Sequence, residues 1–422
     1  MSRLYPLLSG YCLRILGIST TLLVLVAFSR PYFSDKFPTA ATAFEELPIS
    51  MRIPSKGPND PPVIAYSISG TRGDGRKILR LVKAIYHPRN QYLLQLDASS
   101  SGYERRELAL SVQSERVFKA FGNVNVLGRV GALNPMGPSA VASTLHAAAL
   151  LLRISADWDW FVTLSASDYP LMPQDDLLHA FSSLPRDLNF IDYTNKTGWK
   201  ERQDIDKIIA DPNLYNKKNS PVFYVSETRA KPDAFKIVGG SPWVILSRAF
   251  MEHCVHGWDN FPRKLLMYLT NVLFPLELYF QTVFCNSPEF QNTTVDNNLR
   301  YTIWDHKAGK ALELKMSNYD EMVSSEAVFA GPFKEGDPVL SEIDMNILNR
   351  SLGGVVPGEW CLDQGMNTTV EDTSVFHRNY SCSGWGDINS VKPGSSGLKL
   401  ETFFSKLLVE WKRRPNQCHN SA

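Results

Sequence analysis

The chain has 422 residues, 44% of them hydrophobic and 11% aromatic, enough to bury a large core in one big or two fused domains. Lys and Arg (44) balance Asp and Glu (43), and the formal charge of +1 provides no global field for nucleic acid or an anionic membrane surface. An anionic ligand must therefore be met by a local site, and nucleic acid is not an expected partner.

The first strong signal is the apolar run Ile15 to Ser29, with Arg3 and Arg14 before it and Arg30 closing it. It is shorter than the roughly 17–25 residues of a full span, although Leu4 to Leu13 is also fairly apolar. A signal anchor, a cleaved signal peptide and a buried core helix compete for it. Val26-Ala27-Phe28-Ser29-Arg30 offers no small-x-small cleavage site, which favours the uncleaved anchor. Basic residues ahead of the span keep the N-terminus cytoplasmic, and a thin span suits early secretory membranes. A type II protein follows, with a tail at 1–14, an anchor at 15–29 and a Pro- and Ser-rich stem at 30–62. Sequons at Asn195, Asn292, Asn349, Asn367 and Asn379 all follow the anchor, consistent with a luminal body. Beyond Cys12, the cysteines are Cys254, Cys285, Cys361, Cys382 and Cys418, an odd set that requires a free or intermolecular thiol. No CxxC pair or His cluster points to zinc.

The folded part is expected over 63–320, completed by an extension over 321–422. Val63 to Ser69 reads as a buried strand running into a Gly-rich turn at Gly70, Gly73 and Gly75. A helix with Ile78, Leu79, Leu81, Val82 and Ile85 stops at Pro88, and Tyr92 to Asp97 is a second strand ending in a carboxylate. This βαβ spacing predicts an α/β fold with a parallel sheet and a crevice at the strands' carboxyl ends. The pattern repeats in a strand at Asn123 to Leu127, a helix from Ser139 to Ile154 and a strand from Trp160 to Ser165, which leads into Asp168. Ile237 to Leu246 leads to a helix started by Ser247, and Pro275 opens a segment crossing to Cys285.

Asp157-Trp-Asp159 has the form of a metal-holding pair, but it precedes its strand, away from the crevice end, and a solvated or packing role fits better. Asp168 suits either a ligand-facing or a turn-capping role. Glu277 stands among Phe274, Leu276, Leu278, Tyr279 and Phe280, where burial would raise its pKa towards that of a general base. An exposed carboxylate at a helix start after Pro275 is the plainer alternative. Asp296 in Val295 to Arg300 has a loop cap as its plain reading, and Gly239-Gly240 is explained equally by a turn.

Five strings in this order, Ser165-Ala-Ser-Asp-Tyr-Pro170, Gly239-Gly-Ser-Pro-Trp243, Pro275-x-Glu277-x-Tyr-Phe280, Val295-Asp-Asn-Asn-Leu-Arg300 and Val356-Pro-Gly-Glu-Trp-Cys361, resemble the core-2/I-branching glycosyltransferase family. That family includes mucin-branching N-acetylglucosaminyltransferases and peptide O-xylosyltransferases. Asp157 to Phe161, Thr144 to Ala147 and Asp337 to Leu340 look most like its plant branch, the β-glucuronosyltransferases acting on arabinogalactan. The resemblance implies a GT-A-like fold, an inverting mechanism, a UDP-sugar donor, a galactan or arabinogalactan-protein acceptor and residence in the Golgi membrane. It places the catalytic base at Glu277, a donor contact at Asp97, and pocket-shaping residues at Ser241 and Trp243; Asp168, at the crevice end of its strand, is the further donor-binding candidate. The family's metal-free members hold the diphosphate with an Arg/Lys pair after a Phe-Ala string, whereas here Gly331-Pro332 follows Phe329-Ala330. Arg300, Lys307 and Lys334 are the basic substitutes. No cofactor is expected, with a divalent metal as the alternative. Arg229 or Lys231 could face a glucuronate carboxylate. The other readings are transfer of N-acetylglucosamine or xylose, or a non-catalytic glycan-binding protein; Pro242 stands where the xylosyltransferases carry an acid, which argues against peptide xylosylation.

Overall fold

The computed structural model describes residues 53–58, 60–192, 205–215, 219–305, 310–351, 353–362, 382 and 384–413. The expected anchor and the positions Asn195, Lys307, Asn367 and Asn379 lie outside them. Among the described residues, no helix is long and apolar enough to cross a membrane.

A central sheet of seven strands comprises β1 (Ile64–Gly70), β2 (Gln91–Leu96), β3 (Val124–Val126), β4 (Trp160–Ser165), β5 (Asn189–Ile191), β6 (Val244–Ser247) and β7 (Thr294–Val295). Their spatial order is β7-β5-β6-β4-β1-β2-β3. β1 pairs in parallel with β2 and β4, and β2 with β3, as the βαβ spacing predicts. β6, however, runs antiparallel to both β4 and β5, while β7 is parallel to β5. The sheet is therefore mixed, and the fold is α/β with helices on both faces.

Alternation along each strand sorts the core into two layers. Ile64, Tyr66, Ile68, Tyr92, Leu94, Trp160 and Val162 face helices Gly75–Ala84, Gln174–Ser182 and Ser395–Arg413. Ala65, Leu93 and Phe161 face helices Pro138–Ile154, Arg248–His256 and Tyr279–Asn286. On this second face the inward positions turn polar towards the carboxyl ends: Ala65 gives way to Ser67 and Ser69, Leu93 to Gln95 and Asp97, and Phe161 to Thr163 and Ser165. That change marks where the core stops and a cleft begins.

Arg89, fully buried, closes the opposite edge of the sheet. Its guanidinium donates to the carbonyls of Ser55 and Pro61 and to the Asn389 side chain. Ser55 and Pro61, which composition places in a stem, are thus tied to the body, with Lys56 also pairing with Asp157 at 3.0 Å. Cys361 and Cys382 form a disulfide beside the paired two-residue strands Cys361–Leu362 and Gly384–Trp385. Cys285 is also disulfide-bonded, and Cys254 is a buried free thiol.

Helix Gln174–Ser182 receives the C-terminal segment through two acids. Asp175 accepts from the backbone N–H groups of Glu359 and Lys392, and Asp176 from that of Gly394. Burial raises the Asp175 carboxyl to about 6, although the two backbone donors work against the shift. Its neighbour His87, 3.6 Å away, is pushed down to about 3 by burial and stays neutral. Because the folded-state pKa of Asp175 is raised, its contribution favours the fold below about pH 4 and is lost as pH rises through about 6. Urea titrations should show Asp175→Asn losing about 2–3 kcal/mol of the wild-type fall in stability between pH 4 and pH 7. An unchanged slope in the variant would place the titration elsewhere.

Candidate active site

A cleft of about 670 Å³ opens at the carboxyl ends of β1, β2 and β4. Ser67, Ser69, Gln95, Asp97, Thr163 and Ser165 form its floor, and Ala140, Ser143 and Thr144 of helix Pro138–Ile154 form one wall. Trp243, Phe274, Leu276, Glu277 and Trp304 line it too. The residues expected at Asp97, Trp243 and Glu277, far apart in sequence, therefore share one cleft.

The antiparallel run of β6 explains how Trp243 arrives there. The register Trp160 opposite Ser247 and Val162 opposite Ile245 sends the residues before Val244 past Leu164 and Ser165. Parallel pairing of β7 with β5 likewise delivers 296–300 to the same end of the sheet. Glu277 ends a single 3₁₀ turn, Pro275–Glu277, entered through Phe274 at φ 51°. A bulky residue in the left-handed region stores strain of order 1–3 kcal/mol. The turn is held by Phe274 N–H donating to the Met136 carbonyl at 2.8 Å and Gly240 N–H to the Glu277 carbonyl at 2.9 Å. Leu278, Tyr279 and Phe280 are buried immediately afterwards, so the backbone of Glu277 is anchored while its side chain, half-buried, lines the cleft.

Asp97 accepts from Ser99 and, at 2.9 Å, from the Asn219 amide. A carboxylate has about four lone-pair sites, which leaves room for one further donor. Asp168 caps its own turn, Oδ2 accepting from the Ser165 N–H at 2.7 Å, while Oδ1 pairs with Arg300. Both side chains of this pair are withdrawn from solvent, and the Arg300 guanidinium also stacks on Trp243 at 3.9 Å from the ring centroid. Ser241 is buried, its hydroxyl accepting from the Asn298 amide at 2.9 Å and from the Trp243 N–H, so it positions Trp243 and does not line the cleft. Lys334 is exposed and lines neither this cleft nor the smaller cavity beside it. Arg229 stacks on Tyr268 and, with Lys231, is not part of the lining.

The departure at Gly331 has a steric cause. A Cβ there would lie 2.6 Å from Oδ1 of Asp168 and 2.9 Å from a terminal nitrogen of Arg300, so the ion pair occupies the room a side chain would need.

Sequence reasoning missed Lys77. This lysine, in the first turn of helix Gly75–Ala84, is the one basic residue among the described lining of the cleft, and it also borders the smaller cavity of about 180 Å³. The polar switch at Ser67, Gln95 and Thr163 was visible as a parity pattern along each strand. Asp157 and Asp159 lie at the opposite edge, Asp159 accepting from Val63 N–H at 2.8 Å. Among the described residues, His253, Asp259 and Glu289 bring potential ligand atoms within 4.8 Å of one another, and none of the three lines the cleft.

Removing Arg300 would strand a buried carboxylate. Arg300→Met should lower unfolding stability by about 3–5 kcal/mol, and Asp168→Asn added to it should restore part of the loss. Chemical denaturation of the two single variants and the double variant checks this; simple additivity would show that the pair is not coupled.

Residues 64–323 match the model of the Core-2/I-Branching enzyme family. Beta-glucuronosyltransferase GlcAT14A of Arabidopsis thaliana is 43% identical over 98% of this chain and 92% of its own length. Beta-glucuronosyltransferase GlcAT14B of the same plant is 46% identical over 84% of this chain and 80% of its own. Xylosyltransferase 1 of Rattus norvegicus is 31% identical over 61% of this chain and 30% of its own. On a family match across most of the folded body and near-full-length relatives of this similarity, the chain belongs to the Core-2/I-branching enzyme family.

Proposed function

We propose that the protein is an inverting β-glucuronosyltransferase with a GT-A-like fold, moving glucuronic acid from UDP-glucuronate to β-1,6- and β-1,3-galactan chains of arabinogalactan proteins. The donor sugar rests on similarity to GlcAT14A and GlcAT14B along most of the chain. Residence in the Golgi membrane as a single-pass type II protein rests on the apolar run at 15–29 and the five sequons. Asn292 and Asn349 are exposed, as glycosylation requires.

The observation that carries the chemistry is Glu277 on the wall of a cleft whose floor carries Asp97. Glu277 accepts the acceptor hydroxyl's proton as that oxygen attacks the anomeric carbon. The bond from that carbon to the β-phosphate oxygen breaks with its electron pair, releasing UDP. Asp97 has an acceptor site to offer the uridine, and Trp243, fixed by Arg300, shapes the acceptor side. Metal-free operation is part of the proposal.

The full-length protein in detergent, given a panel of UDP-sugars and galacto-oligosaccharides, should transfer glucuronate with or without chelator. Glu277→Gln should cut the rate by roughly 10²–10⁴-fold while UDP still binds. Transfer of xylose, which the Xylosyltransferase 1 similarity would favour, or of N-acetylglucosamine, would change the donor and leave the base in place. A Glu277→Gln variant with wild-type turnover would remove the base, and a folded protein that binds UDP and transfers nothing would favour a glycan-binding role.

A further inference from the structure

The cleft has a charge problem. Its described lining carries three carboxylates, Asp74, Asp97 and Glu277, against Lys77 alone. A nucleoside diphosphate sugar adds at least two negative charges, and its leaving group gains charge as the bond to the sugar breaks. Arg300 is paired with Asp168, stacked on Trp243 and absent from the cleft's described lining, and no side chain can extend from position 331 without displacing that pair.

We infer that Lys77 is the catalytic residue that holds the donor's diphosphate, releasing Asp74 as the nucleotide enters. The inference rests on the UDP-sugar reading of this cleft and names the residue that reading lacks. Three features suit Lys77 to the task. Its ammonium is partly exposed, at the junction of the main cleft and the smaller cavity. Its present partner is Asp74 Oδ1, at 2.9 Å. Asp74 does not depend on that contact, because Oδ2 also accepts the Thr71 N–H at 2.8 Å and the Thr71 hydroxyl at 3.0 Å. Burial works to raise the Asp74 carboxyl, but the bonds from Lys77 and Thr71 prevail and hold it below its ordinary value. A lysine on a four-carbon stem can make that exchange; it supplies charge, and Glu277 takes the acceptor's proton.

Calorimetry of the full-length protein with uridine, UMP and UDP isolates the diphosphate. Lys77→Met should weaken UDP binding roughly tenfold or more and leave uridine unchanged, since one charge-assisted contact is lost and the base and ribose contacts are not. Lys77→Arg should retain most of the UDP affinity. Asp74→Asn should tighten UDP binding several-fold, and that gain should vanish in the Asp74→Asn, Lys77→Met double variant. Unchanged UDP affinity in Lys77→Met overturns the assignment, as does a parallel loss for UDP and uridine, which would mean a collapsed pocket. Unchanged UDP affinity with lost discrimination between UDP-glucuronate and UDP-glucose overturns it too, moving Lys77 to the sugar's carboxylate. Failure of the wild-type protein to bind UDP at all would instead fell the nucleotide-donor reading, and Lys77 with it.

Discussion

Arg300 and Asp168 have left solvent together, and the rim of the cleft takes its shape from that exchange. Withdrawing each charge from water costs several kcal/mol, which only close pairing and further hydrogen bonds offset. Here the carboxylate also takes the Ser165 N–H, and the guanidinium adds a bond to the Thr302 hydroxyl and the face of Trp243. One pair thus fastens the end of β4, the strand Arg300–Tyr301 and the indole that lines the cleft. It also excludes any side chain at position 331. Arg300, expected from sequence as a donor contact, is held here by Asp168 and Trp243.

Much of the body was legible because β1, β2 and β4 obey simple rules: β-rich apolar runs bounded by Gly, Pro or a carboxylate, separated by helical spacing. The helix begun by Ser247 and the strand Trp160–Ser165 stand where those rules place them. The direction of β6 was not legible, since an apolar run of four residues says nothing about its neighbour. That direction is what brings Trp243 to the cleft, so the cleft's composition depended on pairing that only the folded chain reveals.

Of the cleft's charged lining, the carboxylates Asp97 and Glu277 were expected from sequence and Lys77 was not. Asp97 and Glu277 stand at element ends, where carboxylates attract notice. Lys77 lies in a helix between Arg76 and Ile78, where a basic residue in the first turn resembles any solvated face. Only its place on the main cleft distinguishes it from Arg76 and Arg80, which border the smaller cavity alone. Arg80 is occupied with Asp344 and Tyr169, which join the same helix to Arg350 further along the chain.

Arg89 fixes where the polypeptide enters the body. The carbonyls of Ser55 and Pro61 dock at the edge where β1 and β2 begin, and the cleft opens where those strands end. A seven-residue strand spans roughly 20 Å, so incoming chain and cleft are separated by the full depth of the sheet. Ser55 and Pro61 are thereby held at the far end of the strands from Glu277, so a change at Arg89 would reach the cleft only through the length of the sheet.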